Sequence, residues 1–231
     1  RRLVEKADVL VENYKFGTLA RYGLAWEDLR KINPRLVYCS ITGFGQTGPD
    51  KDKGGYDFLI QGMSGLMSVT GEADGHPLKV GIPVSDLTTG LYATISILAA
   101  LQHRNRTGEG QQIDLALYDT ALVSLGNMGS YYLIGGEQPR RAGNGHFASA
   151  PNSSFETSNG KIYMAVANQK LFTDTCKAMG HPEWVTDPRF DIDAPGFDTN
   201  DEMVNKWRDL RGGYRTQLWR ELRTGLRGVD P

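Results

Sequence analysis

The sequence predicts an α/β protein built on a parallel sheet, with part of a smaller second domain following it. Three observations support this. Short apolar runs ending in polar or glycine-rich turns alternate with helix-like segments. The 231 residues lie near the size at which one domain becomes two. The chain also changes character over 135–145, where Gly135, Gly136, Pro139, Arg140, Arg141 and Gly143 cluster. The expected division is a partial large α/β domain over 1–138, then a crossover linker and partial small α+β domain over 139–231.

Ala7-Asp8-Val9-Leu10-Val11 reads as a short buried strand after a charged helical end. Glu12-Asn13-Tyr14 follows at its carboxyl end, where parallel sheets place ligands. Residues 25–32 form a helix with Trp26 and Leu29 on one face, stopped by Asn33-Pro34. A second strand over 35–41 ends in the loop Thr42-Gly43-Phe44-Gly45-Gln46-Thr47-Gly48-Pro49, whose glycines permit close approach to a ligand. A helix is expected over 56–67, weakened by Gly62 and Gly65.

Pro83-Val84-Ser85-Asp86 leads into an apolar helix over 87–103, long enough to be mostly buried, with Ser85 or Asp86 as its N-cap. A basic turn holding Arg104 and Arg106, a strand over 111–117 and a helix over 119–133 come next. Beyond the boundary, Ser153-Ser154-Phe155-Glu156-Thr157 and the apolar run 161–167 flank Ser158-Asn159-Gly160, a hairpin signal. A helix over 169–179 ends at Gly180, and helix-like patches near Met203 and Leu218 lie in the polar remainder.

Apolar residues at 39% and charged residues at 23% suit a soluble globular chain. With 26 basic and 27 acidic residues the net charge is -1, so no bulk field collects nucleic acid or anionic membrane. Cys39 and Cys176 form no disulfide or metal motif, which favours a reducing, cytoplasmic setting. No metal-ligand spacing, basic-then-apolar leader or run of about 18 uninterrupted apolar residues occurs. A generic dinucleotide oxidoreductase is disfavoured, because no Gly-x-Gly-x-x-Gly follows a strand.

The segments Val11-Glu12-Asn13-Tyr14, Asn33-Pro34-Arg35-Leu36-Val37 and Gly43-Phe44-Gly45-Gln46-Thr47-Gly48-Pro49 together resemble the class III CoA-transferase family. The likeness continues through Gly55-Tyr56-Asp57, Val84-Ser85-Asp86-Leu87-Thr88-Thr89-Gly90 and Arg106-Thr107-Gly108-Glu109-Gly110-Gln111. It implies an open Rossmann-like large domain, an interlocked homodimer and a chain longer at both ends, so that an isolated piece would bind CoA poorly. It also implies acyl-CoA and a small mono- or dicarboxylic acid as substrates, with no permanently bound cofactor. Asp86 matches the family's transferase aspartate. Asn13, Tyr14 and Arg21 match residues that hold the CoA nucleotide, Lys15 adds positive field beside them, and Gly54, Gly55, Tyr56 and Asp57 match a further CoA-contacting stretch.

A positioned, desolvated carboxylate can attack a thioester to form a mixed anhydride, and returning CoA thiolate then gives an aspartyl-CoA. An α-methylacyl-CoA racemase is the runner-up, requiring an acid–base pair about the α-carbon. Family racemases carry histidine where this chain has Tyr56, whose phenol is a poor base at neutral pH. A noncatalytic CoA-binding scaffold is the third reading. Gly143-Asn144-Gly145-His146 replaces the polyglycine lid of formyl-type members, so the likeness is closer to carnitine or dicarboxylate transferases. His146 is a further candidate near the acyl group, and Arg104 and Arg106 are weighed as phosphate contacts against a solvated turn.

Overall fold

A computed structural model of the chain describes residues 1–146, 152–157, 160–166 and 168–187. The chain divides into two compact units, Arg1–Arg141 and Ala142–Pro231.

The first unit carries a parallel three-stranded sheet in the order β1 (Val9–Glu12), β2 (Val37–Thr42), β3 (Gln112–Ala116). Between β1 and β2 the chain passes through a 3-10 turn (Leu19–Tyr22) and the short helix α1 (Trp26–Leu29). Leu29, Leu36, Tyr38 and Val4 form the core on that side, with Leu10, Leu24 and Trp26 packed against them. Between β2 and β3 run α2 (Asp57–Met63), α3 (Leu66–Val69) and the long α4 (Val84–Thr107). After β3 come α5 (Leu117–Ser124) and α6 (Asn127–Gly135). Ile60, Leu117 and Ala121 make a second core with Ile41, Phe44 and Tyr118 around it, which joins α2, α5 and the end of β2.

The expected helix over 56–67 is interrupted, because Gly65 takes a positive φ of 88° that ends α2 and starts α3. Gly126, at φ 53°, divides the expected 119–133 helix into α5 and α6 in the same way. α4 begins earlier than expected, and its N-cap is Pro83 rather than Ser85 or Asp86.

α4 is not mostly buried, contrary to expectation. It packs on β2, β3, α2 and α5 through one narrow stripe of Ser85, Thr89, Ala93, Ala100 and Arg104. Leu87, Leu91, Ile95 and Leu98 are all more than half exposed. By length and composition alone α4 would suffice to cross a membrane. Its carboxyl end is fixed to the sheet: Arg104 bonds the Asp8 carboxylate at 3.0 Å and donates to the Asp8 and Arg35 carbonyls. Arg104 is therefore buried, not part of a solvated turn, and it sits at the amino ends of β1 and β2.

In the second unit, β4 (Asn152–Thr157) and β5 (Gly160–Ala165) pair antiparallel, as the hairpin signal predicts, although Ser158 and Asn159 lie outside the described residues. α7 (Gln169–Ala178) follows, capped by the Asn168 side chain, which accepts from the Leu171 N–H, and Gly180 beyond its end has φ 76°. Phe155 is buried here, packed by Ile162, Met164, Met179 and Trp184. Met203 and Leu218 also lie outside the described residues.

Candidate functional site

The carboxyl ends of β1 and β2 present a polar cluster. Glu12, the last residue of β1, is buried, whereas Val11 before it is 55% exposed. This inverts the usual preference of carboxylate and valine, and it corrects the expectation that Val11 is a buried strand residue. The Glu12 carboxylate accepts from the Ser40 hydroxyl on one oxygen and from the Tyr14 backbone N–H at 2.9 Å on the other. Asn13 Nδ2 donates to the Ile41 carbonyl at 2.6 Å, which ties the Asn13-Tyr14 turn to β2. Burial, and secondarily the Glu12 charge, push the Tyr38 phenol up to about 12 and the Cys39 thiol up to about 11.

The glycine-rich loop after β2 folds across these ends. Gly45 N–H donates to Thr42 Oγ1, Gln46 N–H to the Asp114 carboxylate, and Gln46 Nε2 to Ser40 Oγ at 2.6 Å. Gly43 meets Gly55 backbone to backbone, so closely that a Cβ on Gly55 would lie 2.5 Å from the Gly43 Cα. The Tyr118 N–H donates to the Gly43 carbonyl, fastening the loop to the start of α5.

Gly55 and the N-cap residue Tyr56 lead into Asp57, the first residue of α2. One Asp57 oxygen accepts from the Ser85 backbone N–H at 2.8 Å and the other from Gln61 Nε2 at 2.7 Å. Gln61, fully buried, uses its own oxygen to accept from Val80 N–H. The carboxylate of one helix thus satisfies an orphan N–H in the first turn of another, the service an N-cap side chain ordinarily supplies. Farther along, the Thr89 and Thr120 hydroxyls meet at 2.6 Å and join α4 to α5.

Asp86 stands in this first turn of α4, beside Ser85. The residue is exposed, and its carboxylate has no hydrogen bond or ion pair among the described residues. Partial burial of its carboxyl, and next the nearby Asp57 charge, hold its pKa above the ordinary aspartate value. Among the described residues no cationic side chain pairs with it. The Ser85 hydroxyl next to it is buried with no hydrogen-bond partner among the described residues.

Of the residues singled out from the sequence, Asn13 and Tyr14 share the strand-end cluster, and Gly55, Asp57 and Asp86 form a second contiguous group through Ser85. The Gly43–Gly55 contact links the loop of the first group to the second. Tyr14 and Tyr56 are exposed, at 58% and 83%. Lys15, Arg21 and Gly54 are also exposed, and Arg21, in the 3-10 turn after β1, has no hydrogen bond or ion pair to the others. His146 lies in the second unit, where its backbone N–H donates to the Asn152 carbonyl. Among the described residues no three His, Cys, Asp or Glu side chains group as a metal site. Sequence reading missed Ser40, Gln46, Gln61 and Asp114. Only strand register and tertiary contacts bring those four into play.

Residues 1–222 match the profile of CoA-transferase family III. The chain belongs to that family. It is 50% identical over 190 residues to the succinate–glutarate CoA-transferase of Agrobacterium fabrum, a match covering 82% of this chain and 48% of that protein. It is 40% identical over 204 residues to the succinyl-CoA:glutarate CoA-transferase of Mus musculus, covering 88% of this chain and 47% of the relative. A crystal structure of a CaiB/BaiF family protein from Brucella suis, 43% identical, superposes with a TM-score of 0.70 over 96% of this chain and 59% of that one. The chain thus spans about half the length of these family III enzymes.

Proposed function

We propose that this protein moves CoA from an acyl-CoA donor to a small carboxylic acid, with Asp86 as the covalent carrier. The observation that carries the reading is the unpaired Asp86 carboxylate in the first turn of α4, partly desolvated and beside Asp57. A carboxylate stripped of water and free of a cation is a stronger nucleophile than one in solution. The positive end of the α4 dipole favours the charge that develops there.

In the first step an Asp86 oxygen attacks the thioester carbonyl, the C–S bond breaks, and CoA leaves as thiolate with an acyl-aspartyl anhydride behind it. The thiolate attacks the aspartyl carbonyl, the donor acid departs as carboxylate, and Asp86 carries CoA as a thioester. The acceptor carboxylate then attacks that thioester and releases thiolate. Thiolate finally takes the acceptor's acyl carbonyl and restores Asp86. Charge and acyl activation balance throughout, and the chain's own residues supply the one covalent group required.

Asn13, Tyr14, Lys15 and Arg21 are assigned to the CoA nucleotide, and the stretch Gly54, Gly55, Tyr56 and Asp57 to the part of CoA nearer the thioester. The relatives' names favour a dicarboxylate acceptor and a succinyl-CoA donor. The same reading takes 1–138 as an open Rossmann-like domain, 139–231 as part of the small domain, the assembly as an interlocked homodimer and the setting as cytoplasmic. No observation favours a racemase: Tyr56, at the family's histidine position, is exposed and its hydroxyl has no hydrogen bond among the described residues.

Incubation with succinyl-CoA and hydroxylamine, followed by peptide mass mapping, tests the carrier. An aspartyl hydroxamate at Asp86 is expected, together with loss of exchange but retained CoA binding in Asp86→Ala. Turnover with Asp86 unmodified and another residue trapped would reject the mechanism.

A further inference from the structure

We infer that Glu12 is a positioning residue for acyl-CoA binding, acting through the Asn13-Tyr14 turn and the glycine-rich loop; this rests on the CoA assignment proposed above. Strand register puts Glu12, Ser40 and Asp114 side by side across the three strands, because Glu12 pairs with Ser40 and Ser40 with Asp114. Neighbouring strands lie about 4.8 Å apart, so one hydroxyl separates the two carboxylates. Gln46 spans the row: its side-chain N–H donates to Ser40 Oγ and its backbone N–H to Asp114. The Ser40 hydroxyl donates a hydrogen bond to one Glu12 oxygen, and the other accepts from the Tyr14 N–H.

The donors run in one direction, from Gln46 through Ser40 to Glu12. Two acceptor oxygens on one side chain are needed to hold the hydroxyl and the backbone N–H together. Glutamine at this position offers one oxygen and sets an amide N–H against either Tyr14 or Ser40. No salt bridge involves Glu12 among the described residues. A buried carboxylate held only by hydrogen bonds is costly unless every partner is in place. Loosening one partner therefore frees both the turn and the loop, while Asp86, held through Asp57 and Ser85, keeps its own support.

The test uses the intact protein, with calorimetric Kd for CoA and steady-state kinetics with succinyl-CoA. Glu12→Gln is expected to raise Kd and KM about tenfold, the scale of one lost hydrogen bond, with kcat within about threefold of wild type. Gln46→Ala, in a half-buried loop, severs the relay without touching Glu12 and is expected to give a KM defect of the same kind. The double variant should then cost no more than the larger single change. Should Glu12→Gln fail to fold, Gln46→Ala decides. Wild-type Kd in the folded variants, or a loss confined to kcat with KM unchanged, overturns the inference and leaves the transferase reading standing. A wild-type protein that binds no CoA overturns both.

Discussion

At the residue scale, the nearby Asp57 charge bears on how the proposed transfer should depend on pH. On the proposed mechanism Asp86 must be ionised to attack, and its pKa is raised by burial first and by Asp57 second. Its active form is therefore lost as pH falls through a value above the ordinary aspartate range. Asp57→Asn removes the second cause only, so the acid limb of the exchange rate should move to lower pH, part of the way back to normal. A pH–rate profile measures this. The same change leaves Gln61 Nε2 facing an amide N–H and should cost about 1 kcal/mol in denaturant unfolding. Asp86→Asn should lower exchange at least about a thousandfold, since a carboxamide cannot serve as the carrier. Asp86 could be put forward from the sequence because it stands before a long apolar run at a family motif. Glu12 was not, because alternation within one strand cannot reveal that a carboxylate turns inward to meet Ser40 on the next.

At the element scale, the loop after β2 touches the segment before α2 through backbone alone, Gly43 against Gly55. Gly55→Ala drives a Cβ into main chain that no rotamer change can clear, and should destabilise the first unit by about 1–3 kcal/mol in chemical denaturation. Arg141 offers a second test: its guanidinium donates to the carbonyls of Ser68, Glu72 and Gly75, holding the turn after α3. Hydrogen exchange in that turn should quicken in Arg141→Ala. The strands, the hairpin and α7 were readable from periodicity and turn residues. The divisions at Gly65 and Gly126 were not, since a glycine within a helical pattern signals weakness without fixing its φ. Burial of α4 was misjudged for a related reason: apolar content gives the helix, but only its packing shows that small residues face the sheet while leucines face outward.

At the scale of the whole molecule, a net charge of -1 gives no long-range attraction for a polyanion such as CoA. On the proposed function, capture of CoA then depends on local cations, and added salt should weaken binding only severalfold, as expected for a few exposed charges. Arg21→Gln should flatten that dependence in a titration of Kd against ionic strength. The division into two compact units falls after Arg141, within the stretch 135–145 that carries Gly135, Gly136, Pro139 and Gly143. Cys39 and Cys176, the chain's two cysteines, are both free, fully buried and raised in pKa, and they fall one in each unit. Thiolate is the form that alkylating reagents attack. The chain therefore carries a native chemical clock for each half, silent while that half is closed, so that mapping iodoacetamide uptake peptide by peptide would time the opening of one unit separately from the other without any introduced label.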